Sequence, residues 1–363
     1  MSRGSDAYMN FTLHLTERCN LDCTYCVHEK KNSDMTEDIV YKACDLAFSK
    51  GSFAGICFFG GEPLLRKDLI YKAFDYCDML SEKTGKEVRY KMTTNGTLLD
   101  EEFIRKAKEK NLEIGMSFDG TAQDICRRYA DGRGTQKELE HIAKILLREM
   151  PLSYAMLTLS PDAVGKFSES VEYLYSLGFR RVTATIAYGK RVCWTSEKLA
   201  VLEKELRKTA LFYARIFAEG KRFFLSPFDA KIRECISGYN PSERCHLGYR
   251  QMPVSTEGRL YACTQFIGDE NYCFGDVFSG IDTAKQTEVA KKSREPVECK
   301  ECGLKNRCTN SCGCLNRLET GNENTVSPVQ CAYERMLIEI ADELGEELFS
   351  KYPEQFRKRY YSK

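Results

Sequence analysis

The chain has 363 residues, 42% of them hydrophobic and 29% charged, enough for one large core or a core with a smaller module beside it. A net charge of +1 gives no bulk field to attract nucleic acid or a membrane surface. With no secretory segment and no apolar run that could span a bilayer, the 18 cysteines point to a reducing cytoplasm and to metal ligation rather than disulfides.

Residues 1–9 read as a polar lead-in. Phe11-Thr12-Leu13-His14-Leu15 alternates like a strand and runs into a loop carrying Cys19, Cys23 and Cys26. Residues 36–50 predict a helix with Ile39, Ala43, Leu46 and Ala47 on one stripe, and 55–59 an apolar strand leading into Gly60-Gly61-Glu62-Pro63. Helices follow at 66–81, 100–110, 137–149 and 161–177. Strands alternate with them at 87–94, 112–118, 153–159 and 181–187. This rhythm predicts parallel βαβ units with functional residues at the strand ends. The expected fold is α/β, a partial (β/α)6 TIM barrel, followed by a small cysteine-dense module and a C-terminal helix. From pattern alone an open doubly wound sheet is the alternative. Expected boundaries are 1–195 for the barrel, 196–220 for a bridging helix, 221–331 for the loop-rich module, and 332–363 for a closing helix and a solvated tail.

Thiolates bind iron–sulfur clusters or zinc, and a cubane cluster usually takes four cysteines, one per iron. The set Cys19-x3-Cys23-x2-Cys26 leaves one iron open for a small-molecule ligand; a zinc knuckle completed by His14 or His28 is the plainer reading. With Tyr25 before the last thiol, the loop resembles that of the radical S-adenosylmethionine (SAM) enzymes. The resemblance implies that the amino and carboxylate groups of SAM chelate the open iron, with Tyr25 near its adenine. Gly60, Gly61 and Glu62 resemble the family motif that holds the amino group. Glycines permit close backbone approach, and a carboxylate suits an ammonium. Ser117-Phe118-Asp119-Gly120, followed by Asp124-Ile125-Cys126-Arg127, resembles a second family motif. In it Ser117 and Arg127 would reach the methionine or ribose end, with Arg128 and Arg133 as substitutes. Gln123 stands where those relatives have histidine, and the interval is shorter. Asn95, at the end of the third strand, joins the set, although Asn-Gly is also a plain turn signal.

Cys245 and Cys263 bracket Gly258; Cys299-x2-Cys302-x5-Cys308-x3-Cys312 follows, and Cys331 closes the series. This spacing resembles the SPASM module. By that resemblance Cys299, Cys302, Cys308 and Cys331 hold one auxiliary [4Fe–4S] cluster, and Cys245, Cys263 and Cys312 hold another. Cys235 is the preferred fourth ligand of the latter, against Cys273, Cys314 or a substrate thiol. Two zinc sites of four thiolates each are the alternative. Cys44, Cys57, Cys77 and Cys193 read as core residues, Cys126 as lining beside the cofactor motif, and the four histidines as satisfied core or surface groups.

The resemblance implies three [4Fe–4S] clusters and SAM as cofactors, and a 5′-deoxyadenosyl radical that takes hydrogen from a peptide or protein. Sulfatase-maturing relatives place an aspartate base where this chain has Thr264. That residue, the run Tyr261–Glu270 and Cys312-Gly313-Cys314 favour a maturase of ribosomally made peptides that forms a cysteine thioether. Formylglycine formation or another protein modification is the alternative, and carbon–carbon crosslinking and epimerisation stay open. Classes without radical chemistry are an iron–sulfur electron carrier and a zinc-stapled scaffold. The expected partners are a precursor peptide and a one-electron reductant of flavodoxin or ferredoxin type; since only 18 residues precede Cys19, any leader recognition is expected from a separate leader-binding protein or from the barrel and module surfaces. Neither nucleic acid nor membrane is expected as a partner.

Overall fold

The computed structural model describes residues 10–238, 247–292, 294–310 and 312–361. Its strands are β1 (Asn10–His14), β2 (Ala54–Phe59), β3 (Val88–Thr94), β4 (Glu113–Ser117), β5 (Tyr154–Leu159), β6 (Arg181–Ile186), β7 (Phe224–Leu225), β8 (Gln251–Val254), β9 (Arg259–Tyr261), β10 (Cys273–Asp276) and β11 (Gly280–Ile281). Its helices are α1 (Glu37–Ser49), α2 (Lys67–Thr84), α3 (Glu101–Glu109), α4 (Gln123–Cys126), α5 (Gln136–Glu149), α6 (Phe167–Leu177), α7 (Ser196–Ala218), α8 (Ser226–Ser237), α9 (Thr283–Lys292), α10 (Gly313–Thr320), α11 (Pro328–Lys351) and α12 (Pro353–Tyr360). Two compact units result, one from residues 1–22, 26–116 and 245–294, the other from 23–25, 117–244 and 295–363.

In the first unit the strand order is β11-β10-β9-β8-β1-β2-β3-β4. The pairings from β8 through β1, β2 and β3 to β4 are parallel, and those from β8 through β9 and β10 to β11 are antiparallel. Alternation along the strands sorts the side chains. Phe11, Leu13, Ile56, Phe58, Tyr90 and Met92 are all buried on one face. There Phe74 of α2 lies edge-on to Phe58 and Tyr90, with centroids 5.7 and 4.8 Å away. The opposite face carries Thr12, His14, Cys57, Phe59, Lys91 and Glu113, placed side by side by the register. Helix starts follow from capping: Thr36 accepts from the Ile39 amide and Asp100 from the Phe103 amide. Within 221–331, expected to be loop-rich, β8 runs parallel to β1 and prolongs its sheet. Strands of two to four residues are too short to leave a period in the sequence.

The second unit contains the parallel strands β5-β6-β7, with α11 packed on α7 and α8. Its buried hub is Asp229, which accepts hydrogen bonds from the Leu225 amide at 2.8 Å, Tyr213 Oη at 3.0 Å, Arg359 Nη2 at 2.9 Å and Tyr360 Oη at 3.1 Å. The tail is therefore not a solvated end: α12 buries Phe356 and Tyr360 and docks through Arg359. Only two apolar positions four residues apart mark that face, which basic neighbours mask in the sequence. Among the described residues no helix is long and apolar enough to cross a membrane.

Candidate active site and cysteine cavity

Gly60 and Gly61 leave β2 and lie directly against the cysteine loop. The Gly61 amide donates to Thr16 O and the Glu62 amide to Arg18 O, both at 2.8 Å. A Cβ on Gly60 would stand 2.4 Å from Thr16 O, and one on Gly61 2.1 Å from Arg18 O. Gly60 also has φ +141°, a region side-chain-bearing residues avoid. The glycines thus serve the approach of two protein segments, where the sequence suggested approach to a ligand. Glu62 is fully buried. Its Oε1 accepts from the Leu64 amide at 3.0 Å and Thr94 Oγ1 at 2.7 Å, and its Oε2 from the Asn95 amide at 2.7 Å. This carboxylate ties the end of β2 to the end of β3. Asn95 in turn points Nδ2 at Cys19 Sγ, 3.8 Å away, and at Asn20 Oδ1, 2.8 Å away. Of the expected cofactor residues, Gly60, Gly61, Glu62 and Asn95 are in this way joined to Cys19 or its flanks.

Burial pushes the Glu62 carboxyl up to about 7, against the pull of its three donors. An acid with a raised folded pKa favours the folded state most while protonated, so stability falls as pH rises from about 4.5 to about 7. Denaturant titrations of the wild type and Glu62→Gln should therefore diverge in pH slope. The wild type should lose about 3 kcal/mol more over that window.

On the polar face His14 is 5% exposed, with ring centroids 6.0 Å from His28 and 5.0 Å from Phe59. Burial, then His28, lowers its pKa to about 3, so the ring is neutral. Its Nε2 has no hydrogen-bond partner among the described residues, which differs from the satisfied histidine the sequence suggested.

In the second unit the loop residue Tyr25 meets the Asp119–Arg127 pair. Asp119 is wholly buried and Arg127 nearly so. Arg127 Nε donates to Asp119 Oδ2 at 2.9 Å, and its guanidinium lies 5.2 Å from the Tyr25 ring centroid. Tyr25 Oη donates to the same carboxylate, which also accepts from the Thr158 amide at 2.8 Å. Burial disfavours the Arg127 cation, but Asp119, with Tyr25 and Cys23, more than offsets it and holds the pKa well above the usual value. Burial likewise pushes the Tyr25 phenol well above its usual range. Ser117 is buried at the end of β4, and Cys126 packs with Ala122, Ala163 and Tyr25. Asp119 is the residue the sequence reading passed over. It lay inside the quoted motif, and an acid at a strand end eight residues before an arginine was its signal.

Cys299, Cys302, Cys308 and Cys331 line one cavity, together with Asn310, Gln330, Glu334 and Arg335. The structure so brings together the four cysteines grouped by the SPASM resemblance. Burial pushes the Cys308 thiol up to about 11. Cys312 Sγ lies 3.5 Å from Cys314 Sγ, and a hydrogen bond from Cys314 lowers the Cys312 pKa to about 7. Of the other candidates, Cys273 is buried under Arg259, whose Nε and Nη2 stand 3.3 and 3.2 Å from its sulfur. Cys235 is exposed and Cys263 partly buried, while Cys245 lies outside the described residues. Cys44 and Cys77 are buried as expected, Cys57 only partly. Cys193 is exposed, a correction to its reading as core: it sits in the irregular segment before α7. Among the described residues no three ligating side chains are grouped for a single ion.

Residues 13–174 match the radical SAM superfamily. An uncharacterised protein of Methanocaldococcus jannaschii is 30% identical over 189 residues, 51% of this chain and 65% of that protein, so the chain spans just under two thirds of it. A cysteine-type anaerobic sulfatase-maturating enzyme of Clostridium novyi is 26% identical over 325 residues, 82% of this chain and 85% of the enzyme. Among solved structures, native anSMEcpe with bound AdoMet superposes with a TM-score of 0.81 at 18% identity, covering 94% of this chain and 99% of that one. Streptococcus suis SuiB bound to its precursor peptide SuiA gives 0.62 at 14% identity, over 90% and 76%. Residues 13–174 thus form a radical SAM domain with the expected α/β fold.

Proposed function

We propose that the chain modifies a ribosomally made precursor peptide, using a [4Fe–4S] cluster on Cys19, Cys23 and Cys26 together with SAM, and that it joins a cysteine sulfur to carbon as a thioether. The observation that carries the radical reading is the clamp of Gly60, Gly61 and Glu62 on the cysteine loop, which fixes Cys19 beside Asn95. Bound together, cluster and SAM supply one-electron cleavage of a sulfonium and, through it, hydrogen-atom abstraction. The chain's own residues do the rest. Glu62 and Asn95 hold the loop in register, Asp119 keeps Arg127 charged for a carboxylate, and Tyr25 offers its ring as a wall.

Four thiols around one cavity suit a cubane that takes one cysteine per iron, whereas zinc requires all four at a single point. With a second auxiliary cluster on Cys245, Cys263, Cys312 and either Cys235 or Cys314, the loaded chain would carry about twelve irons. Cys314 gains support from its closeness to Cys312, and Cys273 loses it to Arg259. A reducing cytoplasm, an external one-electron donor and a leader-binding protein complete this reading. The Clostridium novyi relative favours formylglycine formation as a second reading, but the residue after Cys263 is Thr264, which cannot act as a carboxylate base. Coexpression with a short cysteine-bearing peptide encoded beside the gene separates the two. A thioether appears as loss of a hydrogen pair with one thiol closed to alkylation. A carbonyl reactive toward hydroxylamine in place of the thiol would instead show a formylglycine-forming enzyme.

A further inference from the structure

We propose that Arg335 raises the reduction potential of the cluster held by Cys299, Cys302, Cys308 and Cys331, while a buried Lys231–Glu334 pair beside the cavity keeps a carboxylate there from lowering it. The inference rests on the cluster reading given above. Arg335 lies on α11, one turn beyond Cys331, and lines the cavity with the four thiols. Its Nη2 is 3.7 Å from Cys302 Sγ, and the nearby Cys331 favours its charged form. One guanidinium therefore faces two of the four thiols. Among the described residues no carboxylate forms an ion pair with it.

Glu334 carries the opposite charge on the same cavity wall and is 5% exposed. It is neutralised locally. Lys231, 4% exposed, stands 3.0 Å away, and Thr309 Oγ1 and Gln330 Nε2 donate to Glu334 Oε1 at 2.8 and 3.1 Å. Both donors adjoin cluster cysteines in sequence, Thr309 next to Cys308 and Gln330 next to Cys331. One-electron reduction adds negative charge to a cluster, so a cation and hydrogen bonds at its sulfurs stabilise the reduced form. Glu334 is balanced by Lys231, which Glu234 also pairs at 3.0 Å, and Lys305, another cation lining the cavity, is paired with Glu295 at 3.6 Å; among the described residues Arg335 is left as the lining cation without a carboxylate.

The test is an EPR-monitored redox titration of the iron-reconstituted full chain, with dithionite as electron donor. The signal is assigned by its loss, with about four irons, in Cys302→Ala. Arg335→Leu should shift its midpoint down by about ten-fold in the ratio of reduced to oxidised form, about 59 mV for one electron. Arg335→Lys keeps the charge but cannot fork across two sulfurs, and should fall between. Glu334→Gln should move the midpoint upward, because it removes a negative charge from the cavity wall while Lys231 stays, paired then with Glu234 alone; a merely structural role would not give shifts of opposite sign. Arg335 is exposed, so its variants test the inference even if Glu334→Gln fails to fold. A midpoint that moves less than about two-fold in Arg335→Leu overturns the inference and leaves the cluster assignment standing. Equal iron in the wild type and Cys302→Ala overturns both. The titration needs neither SAM nor peptide, so it stands apart from the success or failure of the thioether reading.

Discussion

Asp119→Ala is expected to destabilise the protein by about 3–5 kcal/mol, the cost of stranding a buried charge. Asp119 is fully buried and answers three donors at once, Arg127 Nε, Tyr25 Oη and the Thr158 amide. Its removal leaves the Arg127 cation desolvated, with the Tyr25 ring and Thr158 Oγ1, 3.3 Å from Nη2, beside it and no carboxylate paired to it among the described residues. Guanidinium denaturation of the single variant and of Asp119→Ala/Arg127→Met checks the cause. If the stranded charge is responsible, the double variant recovers more than half of the loss. If instead the Tyr25 and Thr158 hydrogen bonds carry the effect, the double variant stays as unstable as the single one.

Gly61→Ala is expected to empty the N-terminal metal site. The new Cβ would lie 2.1 Å from Arg18 O, 2.6 Å from its carbonyl carbon and 3.1 Å from Cys19 N, all backbone atoms with no rotamer to yield. The loop must move, and the Gly61–Thr16 and Glu62–Arg18 hydrogen bonds open with it, at about 1–3 kcal/mol each if left unmet. Iron analysis after reconstitution should show about four irons fewer per chain, the auxiliary content being retained. Gly165→Ala is the control: the nearest atom to its added Cβ is Val201 Cγ1 at 3.9 Å, and iron should be unchanged. Full iron in Gly61→Ala would mean that the loop does not depend on this contact.

The six strands and the helices between them could be read because each spans several periods of its pattern; β1 through β6 lie where the alternation places them. The four thiols around the cavity were legible only through the likeness of their spacing to the SPASM module; short turns hold Cys299, Cys302 and Cys308, and the first turn of α11 holds Cys331. What sequence concealed was partnership across long separations. Nothing near Glu62 announces that Thr94 and the Asn95 amide will take its oxygens. Nor does anything near Asp229 announce Arg359 and Tyr360, 130 and 131 residues away, which turn an apparent tail into a docked helix. Gly61 was legible as a special residue but for another reason, because the segment it admits is 42 positions earlier in the chain, at Cys19.

Quantifying the products of SAM in the dithionite-reduced, iron-reconstituted protein tests the account most directly. It predicts 5′-deoxyadenosine and methionine in equal amounts, and neither from Cys19→Ala/Cys23→Ala/Cys26→Ala. Intact SAM in a wild-type sample with its full iron content would contradict it.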